Sequence, residues 1–172
     1  MAKRRVDPVD ALKLAIERER GANRFYREAA DMVEDPNGKR AFQWLAKQEL
    51  RHVAKLRQQL RSVLNDDTWL EWRRRITPIE KAFSPISEAS GDVKVSDAEI
   101  DALRHAVQSE KESVTFYREA AENTPDVHGK AMFRALAAEE EQHLALVEEE
   151  LELVVASRKY ITLHRFVLRA DR

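Results

Sequence analysis

The sequence contains an internal repeat in which residue i aligns with residue i+91 without a gap. Of the 46 positions from Ala11 to Leu56, 19 are identical in the second copy, whereas composition alone would give about three or four. The longest matching stretches are ALKLAIERERGANRFYREAA with ALRHAVQSEKESVTFYREAA, and GKRAFQWLAKQELRH with GKAMFRALAAEEEQH. The chain must therefore build the same substructure twice.

Each copy is predicted to form an antiparallel pair of helices. Four glycines, five prolines and 35% charged residues are typical of long helices, so we expect an all-α protein. Asp7 and Pro8 indicate a helix start, and Ser96 with Glu99 is a possible capping box. EDPNGK and NTPDVHG interrupt the helical pattern, and the second helices should begin near residues 39 and 130. The predicted hairpins span residues 8–65 and 96–156.

A long connection joins the two hairpins. Residues 66–95 include prolines at positions 78 and 85 and show no sustained helical period. A segment of this length can cross a 25-residue helix, which is roughly 38 Å long. We therefore predict a single domain, a four-helix bundle with one long crossover, followed by a tail at 157–172. A homodimer in which the crossover passes to a second chain is the competing arrangement.

Composition limits the partners and the kinds of site. The net charge is -1 and both signs are interspersed, which argues against a nucleic-acid or lipid surface. There is no signal-like or membrane-spanning apolar run, so we expect a cytoplasmic protein. The absence of cysteine excludes disulfides, iron–sulfur clusters and a rubredoxin-type iron centre from this chain. Any metal must be bound through oxygen and nitrogen.

Acidic residues occupy the apolar stripe of every predicted helix. In the fourth helix the stripe runs through Phe133, Leu136, Glu140, His143 and Val147 at steps of three and four. Its neighbours Glu139 and Glu141 fall about 100° to either side, where solvated or salt-bridged acids are expected. The other three helices repeat the pattern, and the inward polar residues are Glu19, Glu49, His52, Glu110, Glu140 and His143.

Four buried carboxylates need compensating charge. An isolated ionised carboxylate in a core costs several kcal/mol, and four of them repel one another. Two divalent cations would balance them, and imidazole with carboxylate suits iron, manganese or zinc. A glutamate from each of two helices plus Glu-x-x-His from the other two is the arrangement of ferritin-like di-iron and di-manganese proteins. We therefore expect two iron ions, with manganese or zinc as alternatives.

Tyr26 and Tyr117 follow Glu19 and Glu110 by two helical turns on the same face. Each is either a core aromatic residue or a donor to a ligand carboxylate or an iron-bound oxygen species, and both roles are compatible. The remaining histidines and the tryptophans are predicted to serve surface contacts and packing instead, namely His105, His128, His164, Trp44, Trp69 and Trp72.

The motif E…FYREAA…F..LA..E..H, present twice, resembles the rubrerythrin-like branch of the ferritin-like superfamily over residues 10–64 and 98–155. The resemblance implies a ferritin-like bundle in which Glu49 and Glu140 bridge two metals. It also implies that one metal is completed by Glu19 with His52 and the other by Glu110 with His143.

The chain departs from peroxide-reducing rubrerythrins in two respects. Their further carboxylate, three residues after the third-helix ligand, is replaced by Ser113, and their usual rubredoxin-like domain is missing. The six-ligand set is similar to that of bacterioferritin. We expect a di-iron oxidoreductase acting on O2 or hydroperoxide with a separate electron-donor protein. The alternatives are a ferroxidase or iron-handling protein, and a metal-binding helical scaffold without turnover.

Overall fold

The computed structural model of the chain describes residues 7–66, 68–71 and 95–157. Most of the predicted crossover, the predicted tail, Trp72 and His164 lie outside the described residues. The described part contains four helices: α1 (Pro8–Met32), α2 (Pro36–Asp66), α3 (Asp97–Asn123) and α4 (Val127–Ser157). It contains no strand, so the all-α prediction is confirmed. None of these helices combines the length and apolar character that crossing a membrane requires.

Side-chain caps fix the starts of the first helix in each hairpin. The Asp7 carboxylate accepts hydrogen bonds from the backbone N–H groups of Val9 and Asp10 at 2.8 and 3.3 Å. Ser96 and Glu99 form the predicted capping box, in which each side chain accepts a bond from the other residue's backbone N–H. These bonds satisfy N–H groups that have no partner within the helix.

The second helix of each hairpin begins one turn earlier than the sequence predicts. Asp35 accepts hydrogen bonds from the N–H groups of Asn37 and Gly38 at 2.7 and 3.2 Å. Asp126, at the same repeat position, accepts from the next two N–H groups of α4 at 2.8 and 2.9 Å. Residues 36–38 and 127–129, which interrupt the helical pattern in the sequence, therefore lie within α2 and α4, because an aspartate caps the start of each helix.

The helices pack as two hairpins, α1 along α2 and α3 along α4, and α1 also contacts α3. One apolar cluster lies at each end of the bundle. The first includes Phe42, Leu45 and Leu103, and the second includes Leu12, Leu56 and Phe133. Between them along every helix lie the inward glutamates, so the polar residues form one layer inside the bundle. The four-helix bundle prediction is confirmed, and the four helices around this layer belong to one chain.

The start of the crossover is attached to the bundle at the end where α4 begins. The Gln59 amide donates to the Leu70 carbonyl at 2.8 Å and accepts from the Leu70 N–H at 2.9 Å. Trp69 is buried with its ring centroid 5.9 Å from that of Phe133, which agrees with its predicted packing role. A Cβ at Gly129 would come within 2.8 Å of the Trp69 ring. Exchange of the crossover with a second chain stays a prediction.

Candidate metal centre

All six predicted ligands meet in the polar layer at the middle of the bundle. Each is at most 4% exposed, so the cluster is separated from bulk water. One glutamate comes from α1, one from α3, and a Glu-x-x-His pair from each of α2 and α4. The helical spacing of three places each histidine on the same face as its glutamate. The residues are Glu19, Glu49, His52, Glu110, Glu140 and His143.

These residues form two overlapping groups, each able to hold a metal ion. In each group the potential ligand atoms lie within 4.8 Å of one another. Glu49 and Glu140 belong to both groups. Glu19 and His52 complete the first group, and Glu110 and His143 complete the second. The arrangement offers two candidate metal positions that share two carboxylates, and this grouping is the same as the partition that the family resemblance implies.

The Nδ1 atom of each histidine faces the carboxylates. His52 Nδ1 lies 3.2 Å from Glu19 Oε2 and 3.0 Å from Glu140 Oε1. His143 Nδ1 lies 3.2 Å from both Glu49 Oε1 and Glu140 Oε2. The two imidazole rings are nearly parallel, at 19°, with centroids 5.7 Å apart. Both histidines thus direct one nitrogen toward the space that the glutamates surround.

Two buried carboxylate oxygens without a hydrogen-bond partner indicate that a cation fits this cluster. Glu49 Oε1 and Glu140 Oε1 are buried and accept no hydrogen bond. The nearest imidazole nitrogens lie at 3.2 and 3.0 Å, but neither contact has hydrogen-bond geometry. A buried acceptor without a partner costs about 1–3 kcal/mol, and more when it is charged. Because both atoms belong to the two glutamates shared by the groups, divalent cations would supply the missing partners.

Protonation balances the charge of the metal-free cluster. Burial and the charges of Glu49 and Glu140 raise the pKa values of Glu19 and Glu110 well above the usual range. Burial also acts on Glu49 and Glu140, but it is outweighed at Glu49 by hydrogen bonds from Glu19 and both histidines, and at Glu140 by the charges of the histidines and a hydrogen bond from His143. The pKa of Glu49 is lowered well below its usual range and that of Glu140 to about 2.

The histidines respond in the opposite direction. Burial alone would lower their pKa values, but the Glu140 carboxylate and its neighbours raise the pKa values of His52 and His143 well above the usual range. These shifts favour protons on Glu19, Glu110 and both histidines of the metal-free cluster, beside the carboxylates of Glu49 and Glu140. Protons neutralise the same carboxylates that metal ions would neutralise when bound.

The two tyrosines connect the hairpins through the cluster. The Tyr26 hydroxyl of α1 donates a hydrogen bond to Glu110 Oε1 of α3. The Tyr117 hydroxyl of α3 donates in turn to Glu19 Oε1 of α1. Burial is the main cause that raises the pKa values of both phenols, and the neighbouring glutamates of the cluster act in the same direction, so the phenols remain protonated donors. Each tyrosine is thus a core aromatic residue that also donates to a glutamate of the cluster, whereas donation to an iron-bound oxygen species stays a prediction.

Sequence reasoning missed one residue beside the cluster. Glu139 Oε2 lies 2.9 Å from His52 Nε2, the imidazole nitrogen that faces away from the carboxylates. Burial raises the pKa of Glu139, but the hydrogen bond from His52 outweighs it and the net shift is downward. Glu139 is salt-bridged, as the position beside the stripe predicts, but its partner is a histidine of the cluster, which the sequence did not indicate. Glu141 is exposed and pairs with Arg118 at 2.8 Å, as predicted.

Other predicted residues lie outside the six-residue cluster. His105 and His128 are exposed, in agreement with a surface role. Trp44 is buried and lies edge-on to His143 with ring centroids 5.5 Å apart; a packing contact of Trp44 with the crossover and a partner surface stays a prediction. Ser113, one turn after Glu110, is buried at 8% exposure.

Comparisons with known proteins agree with this site and fold. The family model described as Rubrerythrin matches residues 10–151, which includes most of both hairpins and all six cluster residues. The solved structure of a hypothetical protein from Pyrococcus furiosus is similar, with a TM-score of 0.69 and 25% sequence identity. The similarity covers 90% of this chain and 94% of that one. Among curated proteins, none matches the chain. The chain therefore belongs to the rubrerythrin family.

Proposed function

We propose that this chain is a non-haem di-iron oxidoreductase that reduces O2 or hydroperoxide, with electrons delivered by a separate donor protein. The observation that carries the proposal is the pair of overlapping buried groups that share two glutamates. Two sites joined by common carboxylates favour a pair of ions over a single structural ion. Four carboxylates also match the charge of two divalent cations, so a loaded centre is neutral.

Six residues would bind the iron pair. Glu49 and Glu140 would bridge the ions, because they alone belong to both groups. Glu19 with His52 and Glu110 with His143 would complete one ion each, using the imidazole Nδ1 atoms. This ligand set of oxygen and nitrogen atoms suits iron or manganese, and it also accepts zinc.

Bound as Fe(II), the pair would supply two electrons and Lewis acidity to an oxygen substrate. The remaining functions belong to residues of the chain. Packing on all four helices keeps bulk water from the cluster. Tyr26 and Tyr117 each hold one oxygen of a terminal glutamate, which restricts the carboxylate to fewer orientations. Their raised pKa values keep the hydroxyl protons on the phenols.

Reduction of the oxidised centre would depend on a partner. The chain has no cysteine and therefore no thiolate-bound iron to relay electrons. We propose a separate electron-donor protein, a homodimeric assembly and a cytoplasmic location.

Rapid mixing of Fe(II)-loaded protein with hydroperoxide under anaerobic conditions tests the proposal. Oxidation should be much faster than that of free Fe(II) and should consume about one hydroperoxide per iron pair. Glu140→Gln should abolish the fast phase, whereas Glu141→Gln, an equal charge change at an exposed position, should retain it. Oxidation of the unaltered protein no faster than that of free iron would contradict the proposal.

A ferroxidase or iron-handling role is the second candidate. It is favoured by Ser113, which occupies the position of the further carboxylate of peroxide-reducing relatives. A centre limited to six ligands is similar to that of bacterioferritin. The two functions differ in the fate of the iron: an oxidoreductase retains both ions through oxidation and re-reduction, whereas an iron-handling protein releases Fe(III) after the oxidation step. The protein is taken through repeated cycles of oxidation and reduction and then desalted, and the iron that remains bound distinguishes the two functions.

A further inference from the structure

Glu139 makes a contact that distinguishes one half of the metal centre. Its Oε2 atom accepts a hydrogen bond from His52 Nε2 at 2.9 Å, while His52 Nδ1 faces the cluster carboxylates. Lys55 Nζ lies 3.8 Å from the other oxygen of Glu139. The side chain is 18% exposed, so water screens this contact only in part. His52 is thus held between the cluster and a charged acceptor.

The second half of the centre has a different environment. Glu139 aligns with Gln48 in the other copy of the repeat, and the Gln48 Oε1 atom accepts from Arg51 Nη1 at 3.0 Å. The hydrogen bonds and ion pairs of His143 run through Nδ1 to Glu49 and Glu140, and its ring meets Trp44 edge-on. The pseudo-symmetry of the six ligands therefore does not extend to the residues around them.

A carboxylate that accepts the outer N–H of a ligand histidine has two effects. It fixes the ring orientation and the tautomer, and it makes the inner nitrogen a stronger electron-pair donor. Loss of such a partner typically weakens metal affinity by 10–100-fold. A neutral amide, as in Gln48, provides no negative charge for this purpose, even if it were oriented toward the histidine.

We infer that Glu139 makes the two metal positions unequal, so that the position formed with Glu19 and His52 binds a divalent ion more tightly than that formed with Glu110 and His143. The inference rests on the proposed metal centre, but it requires neither iron nor turnover. Loading would accordingly proceed in order, with the His52 position filled first. Mutual repulsion of two ions would also make the second ion bind more weakly than the first. The affinity of each metal position must therefore be measured with the other position removed.

Single-histidine variants separate the halves. His143→Ala retains the His52 position, and His52→Ala retains the His143 position; each is titrated with Co²⁺, with and without Glu139→Gln. We expect His143→Ala to bind Co²⁺ about 10–100-fold more tightly than His52→Ala. Adding Glu139→Gln should remove that advantage in His143→Ala and leave the affinity of His52→Ala within about twofold. Glu141→Gln is the matched control, because it removes the same charge from an exposed residue.

Different results separate the possible failures. If Glu139→Gln weakens Co²⁺ binding equally in both single-histidine variants, or in neither, the inference is overturned, while the metal centre itself is not contradicted. If a single-histidine variant fails to fold, Glu139→Gln in the otherwise unaltered chain gives the answer. One Co²⁺ binding step weakened at least about tenfold supports the inference, and equal effects on both steps contradict it. Failure of the redox proposal would appear elsewhere, as normal Co²⁺ binding without accelerated Fe(II) oxidation.

Discussion

Binding of two divalent ions should displace up to about four protons from the metal-free chain near pH 6. The pKa values of two glutamates and two histidines in the cluster are raised, which favours protonation of these four groups before binding. Each must lose its proton to act as a ligand. Glu49 and Glu140 are already ionised and release none. The overall binding constant for two ions should therefore rise by up to about 10⁴ per pH unit in this range.

Calorimetry measures this proton release directly. Co²⁺ is titrated into metal-free protein in buffers of different ionisation enthalpy, and the slope of observed heat against that enthalpy gives the number of protons. Glu141→Gln should give the same slope, since this residue lies outside the cluster. A release of fewer than about one proton per pair of ions would refute the charge balance that we derive from the buried carboxylates.

The same pKa shifts predict how the stability of the metal-free protein depends on pH. A group whose pKa is raised by folding stabilises the protein below its unfolded pKa, and this contribution is lost as pH rises through the folded value. For the two glutamates the loss begins near pH 4.3, and for the two histidines near 6.5. The lowered pKa of Glu140, about 2, acts oppositely, and its contribution disappears as pH falls from about 4.3 toward that value. The metal-free Tm should therefore fall from pH 6 to 8, while the increase in Tm on adding Co²⁺ should grow.

Three substitutions test other parts of the account. Glu140→Gln should weaken binding of both Co²⁺ ions at least about 100-fold, because this glutamate belongs to both groups and loss of even an indirect partner costs 10–100-fold. Glu141→Gln should leave the Co²⁺ titration unchanged. Equal losses of Co²⁺ affinity in the two variants would show that Glu140 is not the inward-facing residue. Tyr117→Phe should lower the metal-free unfolding free energy in urea by about 1–2 kcal/mol, since a buried carboxyl loses its donor; no loss would show that the hydrogen bond is dispensable. Gly129→Ala should lower the unfolding free energy by about 1–3 kcal/mol, because the new Cβ would lie 2.8 Å from the Trp69 indole ring. A Cβ at Gly21 meets open space, so Gly21→Ala should raise the unfolding free energy by up to about 1 kcal/mol.

The architecture could be predicted because several sequence features agree with it. The 91-residue repeat defines two hairpins, and the low glycine and proline content favours long helices. The six cluster residues could be predicted because a glutamate in an apolar stripe conflicts with burial unless it has a partner. Glu140 differs from its neighbours Glu139 and Glu141 in helical phase, and it alone of the three aligns with a glutamate, Glu49, in the other copy of the repeat.

Contacts that depend on interhelical geometry could not be predicted in this way. Helical phase places Glu139 beside the stripe, but it does not show that its side chain reaches across to His52 on α2. It also does not identify the glutamate with which each tyrosine bonds, because those pairs join different hairpins. The early start of α2 was missed because the proline and glycine of EDPNGK outweighed the cap at Asp35.

Metal content shows most directly whether the buried cluster holds a pair of redox-active ions. Protein purified under low oxygen is analysed for iron, manganese and zinc together with protein concentration. Two iron ions per chain, reduced to a small fraction in Glu140→Gln and retained in Glu141→Gln, is the predicted result. Zinc alone, with no iron bound after Fe(II) addition, would contradict the redox function, and less than one ion of any kind per chain would contradict the metal centre itself.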